Sequence, residues 1–550
     1  MRGLLRSTAW ARTALVAGCI LAVTLAAYFP SLRNGFTNYD DPYYVLENPV
    51  IRSLSWSHIH HLFTSYILMY HPLTLLSLAV DYRLFGLDPA GYHAVNLALH
   101  LANTLLVFWV LRLLCGGTAA AAAGALLFGV HPLHVESVAW VSERKDVLSA
   151  FFFLGALGAY LRHLGGTRRR GWYLCSLGLL AASLLSKPMG VSFPLVMILC
   201  DYLKGHTFGW QSLAGKAPFF ALALIFSALA LAPGDLFPYT DDATSFSTDA
   251  LFVAPYSLIF YLVKAVFPLG LSAIYPYPAR AGGMLPWRFL LAPVPAVLVF
   301  LAVLRRARVS KVLPFGFFFV VATLLPVLAK QIGPHFAADR YFYIPSVGIC
   351  YLAGVGFSRL RGWPVTGGRA KAAALASLAL AAAAFAALTW QRTLVWHDTI
   401  TLWNDVITKY PEPSLAYFNR SLGRFDAGDL EGSIADLDIY LSTAPAHAVA
   451  YKVRGTANLK AGRTTAALAD FDRAVSLKPD FVEALNNRGA LLAGRGELER
   501  AVDDFTRALN ANPRYRMAFG NRAKARAALG DRGGADQDLA KANALEPPSP

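Results

Sequence analysis

Asp40 and Asp41 lie in the stretch Asn34-Gly35-Phe36-Thr37-Asn38-Tyr39-Asp40-Asp41-Pro42-Tyr43-Tyr44-Val45, directly after the first apolar run of the chain. Adjacent carboxylates among aromatic residues, where a chain leaves a membrane, can act as the acid/base centre on a hydroxyl. The same residue types also build a polar Asn/Asp/Pro turn. Two further polar stretches decide between these readings. In the first, His131-Pro132-Leu133-His134-Val135-Glu136 leads to Ser142-Glu143-Arg144-Lys145-Asp146. His134 and Glu136 do not share a helical face, and the His pair at i and i+4 that a zinc protease needs is absent. Glu143, Arg144, Lys145 and Asp146 open an apolar segment. A charge at the bilayer centre costs about 2.5–3.5 kcal/mol or more, so these four belong at an interface or in a wet pocket. There Arg144 can offer a bidentate fork to a phosphate and Lys145 a point charge.

The second stretch, Ala338-Asp339-Arg340-Tyr341-Phe342-Tyr343-Ile344-Pro345, places an Asp-Arg pair beside aromatics at the start of another apolar segment. It suits a lipid-phosphate headgroup, or an aromatic belt with one local ion pair. Lys187-Pro188 lies at a comparable junction. His58, His60, His61 and His71 read as interfacial residues in preference to metal ligands. Together these parts suit transfer of a sugar from a polyprenyl phosphate. The leaving group is already a phosphate, which cations stabilise. One carboxylate then serves as base on the acceptor, a contribution of about 10²–10⁴-fold. No Walker sequence and no dinucleotide fingerprint is present. The reaction needs no cofactor, and a divalent metal stays open as an addition.

The elements that must hold these residues are membrane helices. Of 550 residues, 56% are hydrophobic and 15% charged, and the polar residues concentrate in the last 150 or so. Apolar runs predict about eleven spans, near 13–30, 93–114, 118–131, 147–163, 172–186, 190–203, 217–233, 287–304, 313–329, 341–358 and 371–390. The net charge of +16 belongs mostly to this part, because acids and bases nearly balance after residue 416. It reflects orientation in a bilayer and not nucleic-acid binding. Arg2, Arg6 and Arg12, the cluster Arg162, Arg168, Arg169 and Arg170, the cluster Arg305, Arg306, Arg308 and Lys311, and the cluster Arg359, Arg361, Arg369 and Lys371 all fall inside if 251–268 is re-entrant or interfacial. That puts the N-terminus in the cytoplasm and the C-terminal region outside. Loop 31–92, loop 131–146, Lys187, the Tyr275-Pro276-Tyr277 loop and the 330–340 loop with Lys330 and His335 then share one outer face. Within loop 31–92, the segment from Tyr66 to Phe85 is too broken by His71-Pro72, Asp81 and Arg83 to span, and reads as interfacial helix. The five cysteines show no pairing or metal spacing.

The C-terminal region repeats every 34 residues. Gly428, Gly462, Gly496 and Gly530 recur in step, as do Asp436, Asp470, Asp504 and Asp538, and Pro445, Pro479, Pro513 and Pro547. This is a tetratricopeptide pattern: two helices per unit, Gly in the turn, Pro after the second helix. Asp436 and its equivalents are structural by position. The array offers a surface for acceptor or partner proteins.

The Tyr39-Asp40-Asp41 loop, the stretch from His131 to Asp146, and Arg340-Tyr341-Phe342-Tyr343-Ile344-Pro345, followed by the repeats, resemble the transmembrane and tetratricopeptide repeat-containing proteins. That resemblance covers nearly the whole chain. It implies an all-α fold: a polytopic membrane bundle of GT-C type over 1–392, a connecting or capping segment at 393–415, and a four-repeat solenoid at 416–550. It implies an O-mannosyltransferase-like enzyme that uses a polyprenyl-phosphate sugar and Ser/Thr hydroxyls of exported proteins, with Asp40 as base and Asp41 as the alternate. The expected donor-binding set is His131, His134, Glu143, Arg144, Lys145, Lys187, Asp339, Arg340 and Tyr341, with no metal ligand. Alternatives are a membrane-anchored repeat scaffold without activity, or a GT-C transferase acting on a lipid or glycan.

Overall fold

The computed structural model describes residues 2–64, 66, 69–166, 169–207, 209–231, 249–278, 280, 282–328, 335–362, 367–412 and 415–545. Lys330, Arg168 and Pro547 lie outside them. The chain divides into two units, Met1–Leu402 and Trp403–Pro550. The division falls inside the segment 393–415.

Among the described residues the first unit is mainly helical, with a two-stranded ladder in which Tyr275–Pro276 pairs antiparallel with His335–Ala337. Five helical stretches are long and apolar enough to cross a membrane: Trp10–Arg33, Pro89–Cys115, Val141–Gly165, Trp287–Ala307 and Gly368–Val395. Ala217–Ala230, Ala250–Val266 and Val312–Leu328 are shorter apolar helices. Among the described residues the number of helices long and apolar enough to cross is five, or six if one bent pair counts as a single span. The predicted 118–131 span ends at Gly129 and bends by 53° into Pro132–Ala139. The predicted 341–358 span starts late, because Asp339–Phe342 is a single 3-10 turn and the helix begins at Ser346. The segment 251–268 is one helix, Ala250–Val266, with Pro255 inside it.

Small residues bring the bent segment against the Arg340 turn. A Cβ on Gly354 would run into the Ala120 carbonyl, and one on Gly124 into the Cys350 carbonyl. Thr118–Gly129 and Ser346–Arg361 thus pack backbone to backbone, as small-residue crossings allow. The turns that follow one helix and precede the other then meet. Loop 31–92 has a core of its own, built from Tyr44, Val45, Ile51, Leu62, Leu75, Leu78 and Tyr92 with Val141. Its helix Pro72–Phe85 is pinned where the Thr74 hydroxyl donates to the Ser186 carbonyl at 2.9 Å.

The second unit contains four helix pairs: Leu415–Asp426 with Leu430–Thr443, Ala448–Lys460 with Thr464–Leu477, Val482–Gly494 with Leu498–Ala511, and Arg516–Ala528 with Arg532–Ala544. Gly428, Gly462, Gly496 and Gly530 turn each pair at φ +81, +79, +82 and +88°, a region that L side chains rarely adopt. Arg420, Arg454, Arg488 and Arg522 also recur every 34 residues. Each binds the buried Asp 16 residues ahead with two nitrogens: Asp436, Asp470, Asp504 and Asp538 in turn. Each also reaches 16 residues back, to Asn404, Asp438, Asp472 and Thr506. The periodic Asp residues are therefore acceptors in an arginine ladder that ties one repeat to the next.

Candidate active site

The Asp40 loop is held in place by its neighbour. Asp41 is fully buried and accepts four hydrogen bonds: from the Thr37 N–H at 2.8 Å and hydroxyl at 3.2 Å, and from the Ser142 N–H at 3.0 Å and hydroxyl. Burial pushes its carboxyl up to about 6, with the Ser142 and Thr37 hydrogen bonds pulling the other way. Asp41 thus joins the loop to the turn before Arg144. It is a structural acceptor, which argues against its alternate role as base. Asp40 points elsewhere. Its carboxylate stands 3.3 Å from the Lys145 ammonium, with 29% of the side chain exposed.

A network of buried charges continues from Lys145. Lys145 lies 3.2 Å from Glu143, Lys187 lies 3.2 Å from Glu143 and 2.5 Å from Asp146, and Arg340 lies 3.3 Å from Glu143. Arg340 also binds Glu136 through its guanidinium and, at 2.9 Å, through its backbone N–H. Burial works against the Lys187 ammonium, but Asp146 and Glu143 outweigh it and raise its pKa. Asp40 is the most exposed carboxylate of this cluster, because Glu143 and Glu136 are 1% exposed and Asp146 8%.

Aromatic rings fix the geometry. Tyr39 stacks on Trp140 at 4.6 Å, and Trp396 stacks on Trp140 at 5.4 Å. Lys145 and Arg340 both lie over Trp140, at 5.5 and 5.6 Å. Such cation–π contacts strengthen when desolvated. Tyr341 carries Arg340 at 4.9 Å and Lys187 at 5.9 Å. It also separates two clefts. One is lined by Asp146, Ser149, Arg340, Tyr343, Ile344 and Pro345; the other by Val253, Ser257, Tyr261, Val327, His335 and Phe336. Both mix polar and apolar side chains, and the first brings Asp146 and Arg340 together. Asp40 lines neither, and the ion pairs Asp40–Lys145, Lys145–Glu143 and Glu143–Arg340 link it to the first.

Other expected site residues are placed elsewhere. Arg144 is fully buried and bound to Asp81 at 2.6 Å, to the Ser77 hydroxyl at 2.7 Å, to the Asn96 side chain and to the Tyr92 carbonyl at 3.0 Å. It locks loop 31–92 onto the bundle and does not join the charge cluster. His131 caps the turn at Leu133 and meets the Ala265 carbonyl at 3.1 Å. His134 bridges the Phe128 carbonyl and the Ser346 hydroxyl. Both histidines have protein partners on both ring nitrogens. Asp339 and Arg340 do not form a local pair. Asp339 accepts from the Tyr275 hydroxyl at 2.7 Å, and burial followed by the charge of Glu136 pushes it up to about 7. His58, His60 and His61 lie on the largely exposed helix Trp56–Thr64, whereas His71 is 1% exposed. Among the described residues, no group of three or more His, Cys, Asp or Glu is arranged to hold a metal ion.

Residues 418–480 and 452–516 match the tetratricopeptide repeat family. Among curated proteins, the chain is 33% identical over 204 residues to the protein O-mannosyl-transferase Tmtc1 of Drosophila melanogaster, covering 34% of this chain and 23% of that protein. It is 34% identical over 199 residues to the human protein O-mannosyl-transferase TMTC2, covering 34% of this chain and 24% of that protein. The chain is a relative of the transmembrane and tetratricopeptide repeat-containing proteins. It spans about a quarter of the length of these curated relatives. Among solved structures, the crystal structure of MamA aligns at 21% identity and a TM-score of 0.26, covering 26% of this chain and 85% of that one.

Sequence reasoning left out of the expected site the residues that act as partners, although Glu136 and Asp146 lie in the recognised stretch. Glu136 and Asp146 anchor Arg340 and Lys187, Asp81 takes Arg144, and Trp140 carries both cations. Trp140 and Asp81 stood beside recognised residues, but nothing local assigns a partner 63 residues away for Arg144 or 204 away for Arg340.

Proposed function

We propose that the chain is an integral-membrane glycosyltransferase of GT-C type. It moves a sugar, mannose by analogy with the names of its relatives, from a polyprenyl phosphate to Ser/Thr hydroxyls of exported proteins. In this reading the bundle crosses the membrane about eleven times, with Ala250–Val266 re-entrant or interfacial, the N-terminus in the cytoplasm and loop 31–92 outside. The repeats bind acceptor or partner proteins.

The observation that carries the reading is the Asp40–Lys145 pair at the open edge of a buried charge cluster. The acceptor oxygen attacks C1 of the sugar and the C1–O bond to phosphate breaks. The phosphate leaves with the bonding electrons, and the acceptor proton passes to Asp40. Lys145, Lys187 and Arg340 stabilise the charge that grows on the leaving phosphate. They are already held in position by Glu136, Glu143 and Asp146, so little reorganisation is needed. In this reading the headgroup sits at the cleft beside Asp146 and Arg340, one of the two that meet at Tyr341. A single displacement without a covalent intermediate inverts the anomeric centre.

The test is transfer by the purified full chain from a short-chain polyprenyl-phosphate mannose to Ser/Thr peptides, with product mass and anomer determined. Asp40→Asn is expected to insert and fold normally and to lose transfer. Wild-type transfer by that variant overturns the assignment of the base. No transfer by wild type with any lipid-phosphate sugar overturns the reading itself.

A further inference from the structure

His71 stands beside the charge cluster with nothing to bind. The side chain is 1% exposed, and neither ring nitrogen has a hydrogen-bond partner. The other buried histidines of the first unit are engaged. His100, His131 and His134 have partners on both ring nitrogens, and His93 and His335 on one. A buried polar group without a partner costs about 1–3 kcal/mol, so a chain that keeps one there is short of a ligand or a water. The ring lies 6.4 Å from that of Tyr44, and Tyr44 in turn carries the Lys145 ammonium at 4.7 Å. The charges that act on the imidazole are those of Lys145, Lys187 and Glu143. All three belong to the charge cluster, and Lys145 is the one paired with Asp40. Burial, followed by Lys145 and Lys187, holds the ring down at about 3, so it is neutral at physiological pH and offers one N–H and one acceptor.

We propose that His71 is a substrate-binding residue, whose neutral imidazole donates its N–H to an oxygen of the lipid phosphate that Lys145 and Lys187 attract. This rests on the transferase reading above. Two ammonium groups supply charge there, and a third cation would be repelled by them. A neutral donor adds a directed hydrogen bond without that repulsion and fixes how the phosphate is turned. The position is set by the fold: His71 is the residue before Pro72, whose ring starts the helix Pro72–Phe85, and that helix is pinned to Ser186 beside Lys187.

The experiment is titration of the full-length protein in detergent with dodecyl phosphate, with dodecanol as the uncharged control. His71→Phe fills the volume without a hydrogen bond and is expected to weaken binding of the phosphate about tenfold, the worth of one hydrogen bond to a charged group. His71→Gln keeps a donor and an acceptor and is expected to bind within about threefold of wild type. In turnover, His71→Phe is expected to raise KM for the donor more than it lowers kcat. If Arg340→Ala loses binding while His71→Phe binds as wild type, the imidazole only packs, or holds a water, and the proposal falls alone. If Arg340→Ala and His71→Phe both bind as wild type, the phosphate reading of the cluster falls with it. Should His71→Phe not fold, ¹⁵N-histidine wild type carries the test, with His71→Gln for assignment. The His71 ring resonances are expected to shift with dodecyl phosphate and not with dodecanol; resonances unmoved by dodecyl phosphate overturn the proposal.

Discussion

Asp40 and Asp41 are adjacent in sequence and opposite in environment: Asp40 meets Lys145 at 3.3 Å at the open edge of the cluster, while Asp41 is sealed behind four donors from Thr37 and Ser142. The two therefore separate activity from stability. Asp40→Asn is expected to reduce transfer by about 10²–10⁴-fold, the worth of a general base, with an unchanged melting temperature in detergent. Asp41→Ala leaves those donors without an acceptor and is expected to cost about 2–4 kcal/mol of stability. Melting curves and initial rates on both variants check this, and equal melting losses would contradict it.

Asp41 also sets a pH dependence. Its carboxyl is raised from 3.8 to about 6 in the folded chain, chiefly by burial. The folded state then holds the proton more tightly than the unfolded one. The stability this confers is fully present below about 3.8 and is lost as pH rises through about 6. A shift of this size corresponds to about 3 kcal/mol across the window. Melting temperature measured from pH 4 to 7.5 is expected to fall more steeply for wild type than for Asp41→Asn, which cannot titrate. Parallel profiles would show that the four hydrogen bonds, and not burial, govern this carboxyl.

Arg144 and Lys145 are consecutive on a helix and so point about 100° apart. One faces Asp81 in loop 31–92 and the other faces Asp40. Arg144→Met is expected to destabilise by about 3–5 kcal/mol, because it strands a buried carboxylate. Adding Asp81→Leu is expected to recover part of that loss. Arg340→Lys keeps a charge but gives up the fork to Glu136 and Glu143, and is expected to raise KM for the donor about tenfold while folding is retained. Donor kinetics and denaturant titrations on these variants distinguish the two arginines. An Arg144→Met protein that folds normally yet fails to bind donor would make Arg144 a donor ligand and not a structural clamp.

This contrast shows what was legible in the sequence. Residue types at membrane junctions pointed to Asp40, Lys145, Lys187 and Arg340, because charges there are expensive and few structural needs explain them. The same logic also selected Arg144, His131 and His134, whose polar atoms are consumed by Asp81, Ala265 and Ser346. Cost alone does not say whether a buried charge serves a ligand or the fold. Only the partner decides, and partners such as Glu136 for Arg340 are brought together by close helix crossings at Gly124 and Gly354. Span boundaries were hidden for a related reason: the apolar run from Ala119 to Val130 does not show that its helix stops at Gly129 and that His131 caps the next turn. In the repeats, periodicity exposed the turns, because glycine readily accepts the φ near +80° that L side chains rarely adopt.

The arginine ladder yields the last prediction. Arg488 binds Asp504 within its own repeat through two nitrogens, and reaches Asp472 of the preceding repeat at 2.8 Å. Asp504 is 3% exposed and Asp472 49%. The inner contact therefore carries most of the energy, while the outer one couples neighbours and is weakened by solvent. Arg488→Ala leaves the buried Asp504 carboxylate with only Arg507 at 3.7 Å and is expected to cost about 3 kcal/mol. Because repeat stability is a sum of unit and interface terms, it is also expected to broaden unfolding of the array. Asp472→Asn removes only the outer contact, and a loss below about 1 kcal/mol is expected. At the next rung Arg522 meets the neutral Thr506 at 3.0 Å where the two rungs before it have Asp438 and Asp472. Thr506→Asp restores that ion pair and is expected to stabilise the array by a few tenths of a kcal/mol, with a gain that shrinks as salt is added. Denaturant unfolding of the full chain, followed by circular dichroism at low and high salt, reads all three. A Thr506→Asp variant that is less stable at both salts would show that the Thr hydroxyl is fitted to its rung and is not a gap in the ladder.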